Sequence, residues 1–164
     1  MALNNPADFF TILRVLREHE VEFILVGGLC AVARGAPIVT MDVDIVHQRT
    51  PDNITRLVDA LNELDAVYRH HPAHITPQAI HFEGVGHSLW STKAGHLDVL
   101  GTIDEGRGYD ELIHFSSRCV LDEHEYHMLT LEELVGIKQR AGRNKDLAVL
   151  PVLLNTLKLA QEEE

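Results

Sequence analysis

The chain has 164 residues, 45% of them apolar and 24% charged, with a formal net charge of −11. That length suits one domain able to bury a real core. The acidic balance excludes a broad nucleic-acid-coating surface, which needs a basic face, and no run of eighteen apolar residues predicts a membrane span.

Asn4 or Asn5 with Pro6 reads as a helix start. Phe9, Phe10, Ile12, Leu13, Val15 and Leu16 then recur at helical spacing, predicting an amphipathic helix over 6–19. Residues 21–26 (Val-Glu-Phe-Ile-Leu-Val) predict a strand buried on both faces. Gly27 and Gly28 follow, then a short helix over 28–34 closed by Gly35 and Pro37. Residues 41–46 predict a strand carrying Asp42 and Asp44, with Val43, Ile45 and Val46 packed inward. Thr50-Pro51-Asp52 starts a helix with Thr50 as N-cap and an apolar stripe of Ile54, Leu57, Val58, Leu61 and Leu64.

The next stretch reads as short strands: an edge strand over 66–69, a proline-flanked loop over 70–77, then strands over 79–83, 87–91 and 96–101. A loop with a short helix around Tyr109–His114 precedes two short strands, 118–121 and 126–128, about an acidic turn. Thr130 and Glu133 form a capping-box pattern that opens a helix running to about Ala141. Gly142 interrupts it, and 143–161 form a last helix with Leu147, Leu150, Leu153, Leu154, Leu157 and Leu159 for core and Pro151 inside. This predicts a mixed α/β (α+β) fold, a small mixed sheet with packed helices. A core over 1–129 is followed by a helical hairpin over 130–164.

Cys30 and Cys119 lie in apolar-rich segments and fit structural thiols in a reducing compartment. Met1 to Pro6 hold no basic segment followed by an apolar core, so no leader peptide is expected, and the cytoplasm is.

Asp42 and Asp44 share one face of their strand, about 7 Å apart along it. Two carboxylates held close resist joint ionisation, and a pair of hard oxygen ligands suits Mg²⁺ together with substrate phosphates. Glycines at the preceding strand-to-helix turn let backbone N–H groups approach a phosphate. Gly27-Gly28, thirteen intervening residues and Asp42-Val43-Asp44 together resemble the signature of the nucleotidyltransferase superfamily with the DNA polymerase β-like fold.

The resemblance covers residues 20–101. It implies transfer of a nucleoside monophosphate from an NTP to a hydroxyl, with release of pyrophosphate. It implies two Mg²⁺ ions at Asp42, Asp44 and Asp98, the last also the base for the attacking hydroxyl, with Gly27 and Gly28 around the β- and γ-phosphates. An aspartate inside the apolar strand 96–101 is itself unusual unless paired or metal-bound. Arg34 reads equally as a cation at a helix C-terminus or as a phosphate contact. The cluster Lys138, Arg140, Arg143, Lys145, Asp146 is a solvated helix joint on the plain reading. It also resembles a segment of minimal, AbiEii-like nucleotidyltransferases in which basic residues lie near the nucleotide. On that resemblance Lys138 is the first phosphate candidate and Lys145 stands behind it. One departure is Met41, where many members carry Ser or Thr; Thr40 stands one position earlier.

Eleven histidines raise the question of zinc, but His70, His71 and His74, or His124 and His127, lack the accompanying cysteines or metalloprotease helix. His96 reads as a neighbour of Asp98 or as solvated, and Ser88 and Trp90 as lining a substrate pocket or, by default, as core or sheet surface. The acceptor stays open among an RNA end, a protein and a small molecule. Two other classes stand beside this one: a non-catalytic or regulatory module of a toxin–antitoxin pair with a partner protein, and a small antibiotic-modifying transferase. An acidic surface would suit a cationic acceptor of the latter.

Overall fold

The structure, a computed structural model, describes residues 7–163. The expected helix start at Asn4–Pro6 lies outside them. The first helix, α1, is Phe9–Glu18, and its N-cap is Asp8, whose carboxylate accepts from the Thr11 amide and hydroxyl. Ile12, Leu13, Val15 and Leu16 are buried, while Phe10 faces solvent.

Among the described residues, seven strands form one mixed sheet. In chain order they are β1 (Phe23–Val26), β2 (Asp42–His47), β3 (Val67–Tyr68), β4 (His87–Thr92), β5 (Gly95–Leu100), β6 (Ser116–Leu121) and β7 (His124–Leu129). Their spatial order is β3-β4-β5-β2-β1-β7-β6. β1 pairs antiparallel with β2 and parallel with β7, and β2 pairs parallel with β5. The interior strand β1 is buried along its whole length, as its unbroken apolar run requires.

The helix after the glycines, α2, is Gly27–Ala33, and α3 is Pro51–Glu63 with the Thr50 hydroxyl accepting from the Asn53 amide. α1 packs on β2, β5 and α3. Val43, Ile45, Leu97 and Val99 are buried. Period-two alternation therefore turns Asp42, Asp44 and Asp98 to the opposite side of the sheet. A short helix, α4 (Tyr109–Leu112), follows β5. Two helices close the chain, α5 (Leu131–Ala141) and α6 (Asn144–Glu162), joined through Gly142 at φ 60. A glycine takes that left-handed turn at no steric cost.

Several expectations are corrected. Residues 79–83 are not a strand: Ala79–Phe82 make a 3₁₀ turn in which His81 Nδ1 accepts from the Gln78 amide. Phe82 then packs with Trp90, Tyr68 and His81 in an aromatic cluster, so Trp90 is core, with its indole N–H donating to Ser88. The strands about the acidic turn are six residues each, longer than expected. The capping box at Thr130 is half formed. The Glu133 amide donates to the Thr130 hydroxyl, but the Glu133 carboxylate turns away to Arg107 and Arg140. Leu147, Leu154 and Leu159 are exposed, while Leu153 is buried and Leu150 and Leu157 pack partly on the core. Among the described residues, no helix is long and apolar enough to cross a membrane. Both cysteines are free, and the Cys30 thiol, buried and donating to the Leu129 carbonyl, is pushed up to about 12 by burial.

Candidate active site

A cleft of about 680 Å³ opens on the sheet face opposite α1. Its floor is Asp42, Asp44 and Asp98, its rear edge Gly27 and Gly28, and one wall carries Lys138, Arg140, Arg143 and Lys145. His87, Leu89, Ile103 and Glu105 line the other side.

The floor follows from register. Asp44 is paired with Asp98 across β2 and β5, and Asp42 with His96. Parallel pairing thus joins residues 54 positions apart into one carboxylate group, with the Asp44 and Asp98 carboxyls side by side. Burial first, then that contact and the charges on Asp98 and Asp42, push the Asp44 carboxyl up to about 7, against the opposing pull of Lys138. His96 Nδ1 lies 3.4 Å from Asp42 Oδ1, so this histidine neighbours Asp42 rather than Asp98.

Gly27 has φ +71, and a Cβ there would lie 2.1 Å from Asp44 Oδ2. The Asp44 carboxylate therefore rests where only a glycine leaves room. A Cβ on Gly28 would meet the Thr40 hydroxyl at 2.7 Å. Thr40 fills this position beside the turn, while Met41 points to solvent.

The cationic wall is built by pairing. Asp146 is fully buried and accepts from Lys138 Nζ at 3.0 Å and from the Arg143 amide, Nε and Nη2 at 3.2, 2.6 and 3.2 Å. Arg140 grips Asp104 through Nε and Nη2, and Arg107 bonds Asp104 and Glu111, tying the loop after β5 to α5. Lys145 is exposed and forms no ion pair with the described residues. Lys138 and Lys145 both line the cleft, the first held by Asp146 and the second without an ion-pair partner among the described residues.

Arg34 does not line the cleft. Its guanidinium donates to the carbonyls of Leu129 and Met128 and to the Ser117 hydroxyl, locking α2 to β6 and β7. A residue that sequence reasoning missed stands behind the floor. Arg69 follows β3, and its Nη2 lies 2.8 Å from Asp98 Oδ1. The one signal for it is that it is the sole Lys or Arg between Arg56 and Lys93.

The Arg143 bonds, reinforced by Lys138, hold the Asp146 carboxyl down to about 2. A depressed acid stabilises the fold above its unfolded value near 4, and that contribution disappears as pH falls toward 2. Asp146→Asn is expected to remove about 1 to 2 kcal/mol at pH 6, discounted because Arg143 is exposed, and less than about 0.5 kcal/mol at pH 2. Thermal melts of both proteins between pH 2 and 6 check this; parallel curves would refute it.

As for metals, Asp42 and Asp44 on one strand face offer the one or two carboxylates that Mg²⁺ takes alongside phosphates. Among the described residues, no group of three or more His, Cys, Asp or Glu side chains is arranged to hold a metal ion.

No family model matches the sequence, and no curated protein matches it significantly. Solved structures do. The lincosamide antibiotic adenylyltransferase LnuA, lincomycin-bound, superposes with a TM-score of 0.64 at 13% identity, over 93% of this chain and 99% of that one. ANT(2")-Ia in complex with adenylyl-2"-tobramycin gives 0.58 at 14%, over 94% and 90%. A Thermotoga maritima protein described as a candidate nucleotidyltransferase gives 0.56 at 16%, over 90% of each chain. At such identities the likeness establishes the fold: this chain has the nucleotidyltransferase architecture, a mixed seven-stranded sheet with helices packed on it.

Proposed function

We propose that the protein is a metal-dependent nucleotidyltransferase moving a nucleoside monophosphate from an NTP to a hydroxyl, releasing pyrophosphate. The observation that carries this is the facing of an aspartate floor by a cationic wall across one cleft, with a glycine turn at its edge. In this reading Asp42 and Asp44 hold Mg²⁺, which when bound neutralises charge on the triphosphate. The backbone N–H groups of the Gly27–Gly28 turn, backed by Asp44 and Thr40, would face the phosphates, and Lys138 and Lys145 add positive charge. Asp98 takes the proton of the acceptor hydroxyl. The acceptor oxygen bonds to the α-phosphorus, the bond from that phosphorus to the oxygen bridging to the β-phosphate breaks, and the electron pair leaves with pyrophosphate. The residues supply position and charge, the chief needs of such a transfer.

A small, antibiotic-type acceptor is the reading favoured for the hydroxyl. The structural neighbours LnuA and ANT(2")-Ia carry lincomycin and adenylyl-tobramycin in their names and match nearly this whole chain. The net charge of −11 and Glu105 at the cleft suit a cationic one.

The test is calorimetric titration of the four NTPs with and without Mg²⁺, on the wild type and on Asp42→Asn/Asp44→Asn. Binding that needs Mg²⁺ and vanishes in the double variant is expected. If no NTP binds, the chain is an interaction module and a partner protein is the next thing to seek.

A further inference from the structure

The expectation of two metal ions gives Asp98 two tasks at once, ligand and base. Its surroundings allow one. Asp98 Oδ1 is sealed from solvent and lies against Arg69 Nη2, at an angle too oblique for a hydrogen bond, and Arg69 Nε has no partner among the described residues. The two side chains are 16% and 9% exposed, so this ion pair sits at the back of the floor rather than on a solvated rim. Arg69 is itself anchored on β4. Its amide donates to the Leu89 carbonyl at 2.8 Å and its Nη2 to the Trp90 carbonyl at 2.7 Å. Leu89 is the register partner of Asp98, so the guanidinium crosses one strand to reach it. With Oδ1 sealed, any contact between Asp98 and a ligand in the cleft falls to Oδ2. A fixed guanidinium at Oδ1 also repels a second divalent ion from this corner. Among the described residues neither Asp42 nor Asp44 forms an ion pair with a lysine or arginine: Lys138 acts on Asp44 from its own pairing with Asp146, and His96, beside Asp42, is half exposed.

We infer that Arg69 is a positioning residue that reserves Asp98 for proton abstraction, so that the protein's carboxylates hold one divalent ion, at Asp42 and Asp44, and not two. This rests on the nucleotidyltransferase reading. In the step, the acceptor hydroxyl proton passes to Asp98 Oδ2 while Oδ1 stays on Arg69.

The test counts ions rather than turnover. The protein is dialysed to equilibrium with Mn²⁺ and the α,β-methylene analogue of whichever NTP binds in the calorimetry, and both retained species are measured. One Mn²⁺ per retained nucleotide is expected for the wild type, for Arg69→Lys and for Asp98→Asn. Arg69→Met frees Oδ1 and is expected to retain two, returning to one in Arg69→Met/Asp98→Asn. Two ions in the wild type, falling to one in Asp98→Asn, would overturn the inference while upholding the nucleotide site. So would a ratio unchanged by Arg69→Met in a folded protein. If Arg69→Met does not fold, the comparison of wild type with Asp98→Asn decides. Retention of nucleotide without any Mn²⁺, or of neither, overturns the metal-dependent reading and the inference with it.

Discussion

Asp44→Asn is expected to stabilise the free protein at pH 8 while abolishing Mg²⁺-dependent nucleotide binding. Asp44 is a half-buried acid beside two others, and its carboxyl is pushed up to about 7, by burial foremost. For an acid raised in the folded state, the favourable contribution is complete below the unfolded value near 4 and is lost as pH rises through about 7. At pH 8 the ionised carboxylate is therefore a cost. Asparagine keeps the shape and, like the protonated acid, places no charge beside Asp98. The shift corresponds to an upper bound of about 4 kcal/mol. Coupling to Asp98 and partial solvation reduce it to about 1 to 3 kcal/mol, or roughly 3 to 10 °C in Tm for a chain of this size. The gain is expected to vanish at pH 4, where both proteins carry an uncharged side chain. Thermal melts at pH 4 and 8, paired with nucleotide titration, check it. A variant no more stable than the wild type at pH 8 would show that these carboxylates do not strain the fold. Such a gain on loss of ligand affinity is the usual mark of a residue retained for binding at a cost to stability.

What was legible in the sequence was local. The Gly-Gly turn, the two aspartates two residues apart and the strand-helix-strand order around them need only neighbours along the chain to be seen. Asp98 was visible because a charged residue in an apolar strand has few innocent explanations. Arg69 was not, since its partnership runs across β4 to β5, and no spacing rule links residue 69 to residue 98. The same holds for Arg34, whose contacts with Ser117, Met128 and Leu129 depend on the parallel docking of β7 on β1. The misread strand at 79–83 shows the limit of periodicity. Ala-Ile-His-Phe is apolar enough for a strand, but the Gln78–His81 cap folds it into one turn, leaving Phe82 buried and Ile80 in solvent. The leucines of α6 mislead in the opposite way, because a helix rich in leucine all round covers the core with only one of its faces.

Gly27→Ala is expected to lose Mg²⁺-dependent nucleotide binding as fully as Asp44→Asn does, while moving stability in the opposite direction. Two costs add. An L-residue at φ +71 costs about 1 to 2 kcal/mol. The new methyl would also stand 2.1 Å from Asp44 Oδ2, 2.9 Å from its Cγ and 3.0 Å from its Cβ. No rotation within van der Waals contact tolerates the first two, so the carboxylate must leave the position it shares with Asp42 and Asp98. Overpacking of this kind costs about 1 to 3 kcal/mol, and the Tm is expected to fall by roughly 5 to 15 °C. The double variant Gly27→Ala/Asp44→Ala separates the terms. Removing the carboxylate takes away Oδ2 and Cγ and leaves the backbone strain and the tight Cβ contact. The destabilisation by Gly27→Ala is therefore expected to be smaller by about 1 to 2 kcal/mol in the Asp44→Ala background, a coupling of the size seen between touching residues. Strict additivity in denaturant melts would mean that the glycine acts only through its backbone conformation. A coupled pair would establish that Gly27 is required there by the carboxylate it makes room for.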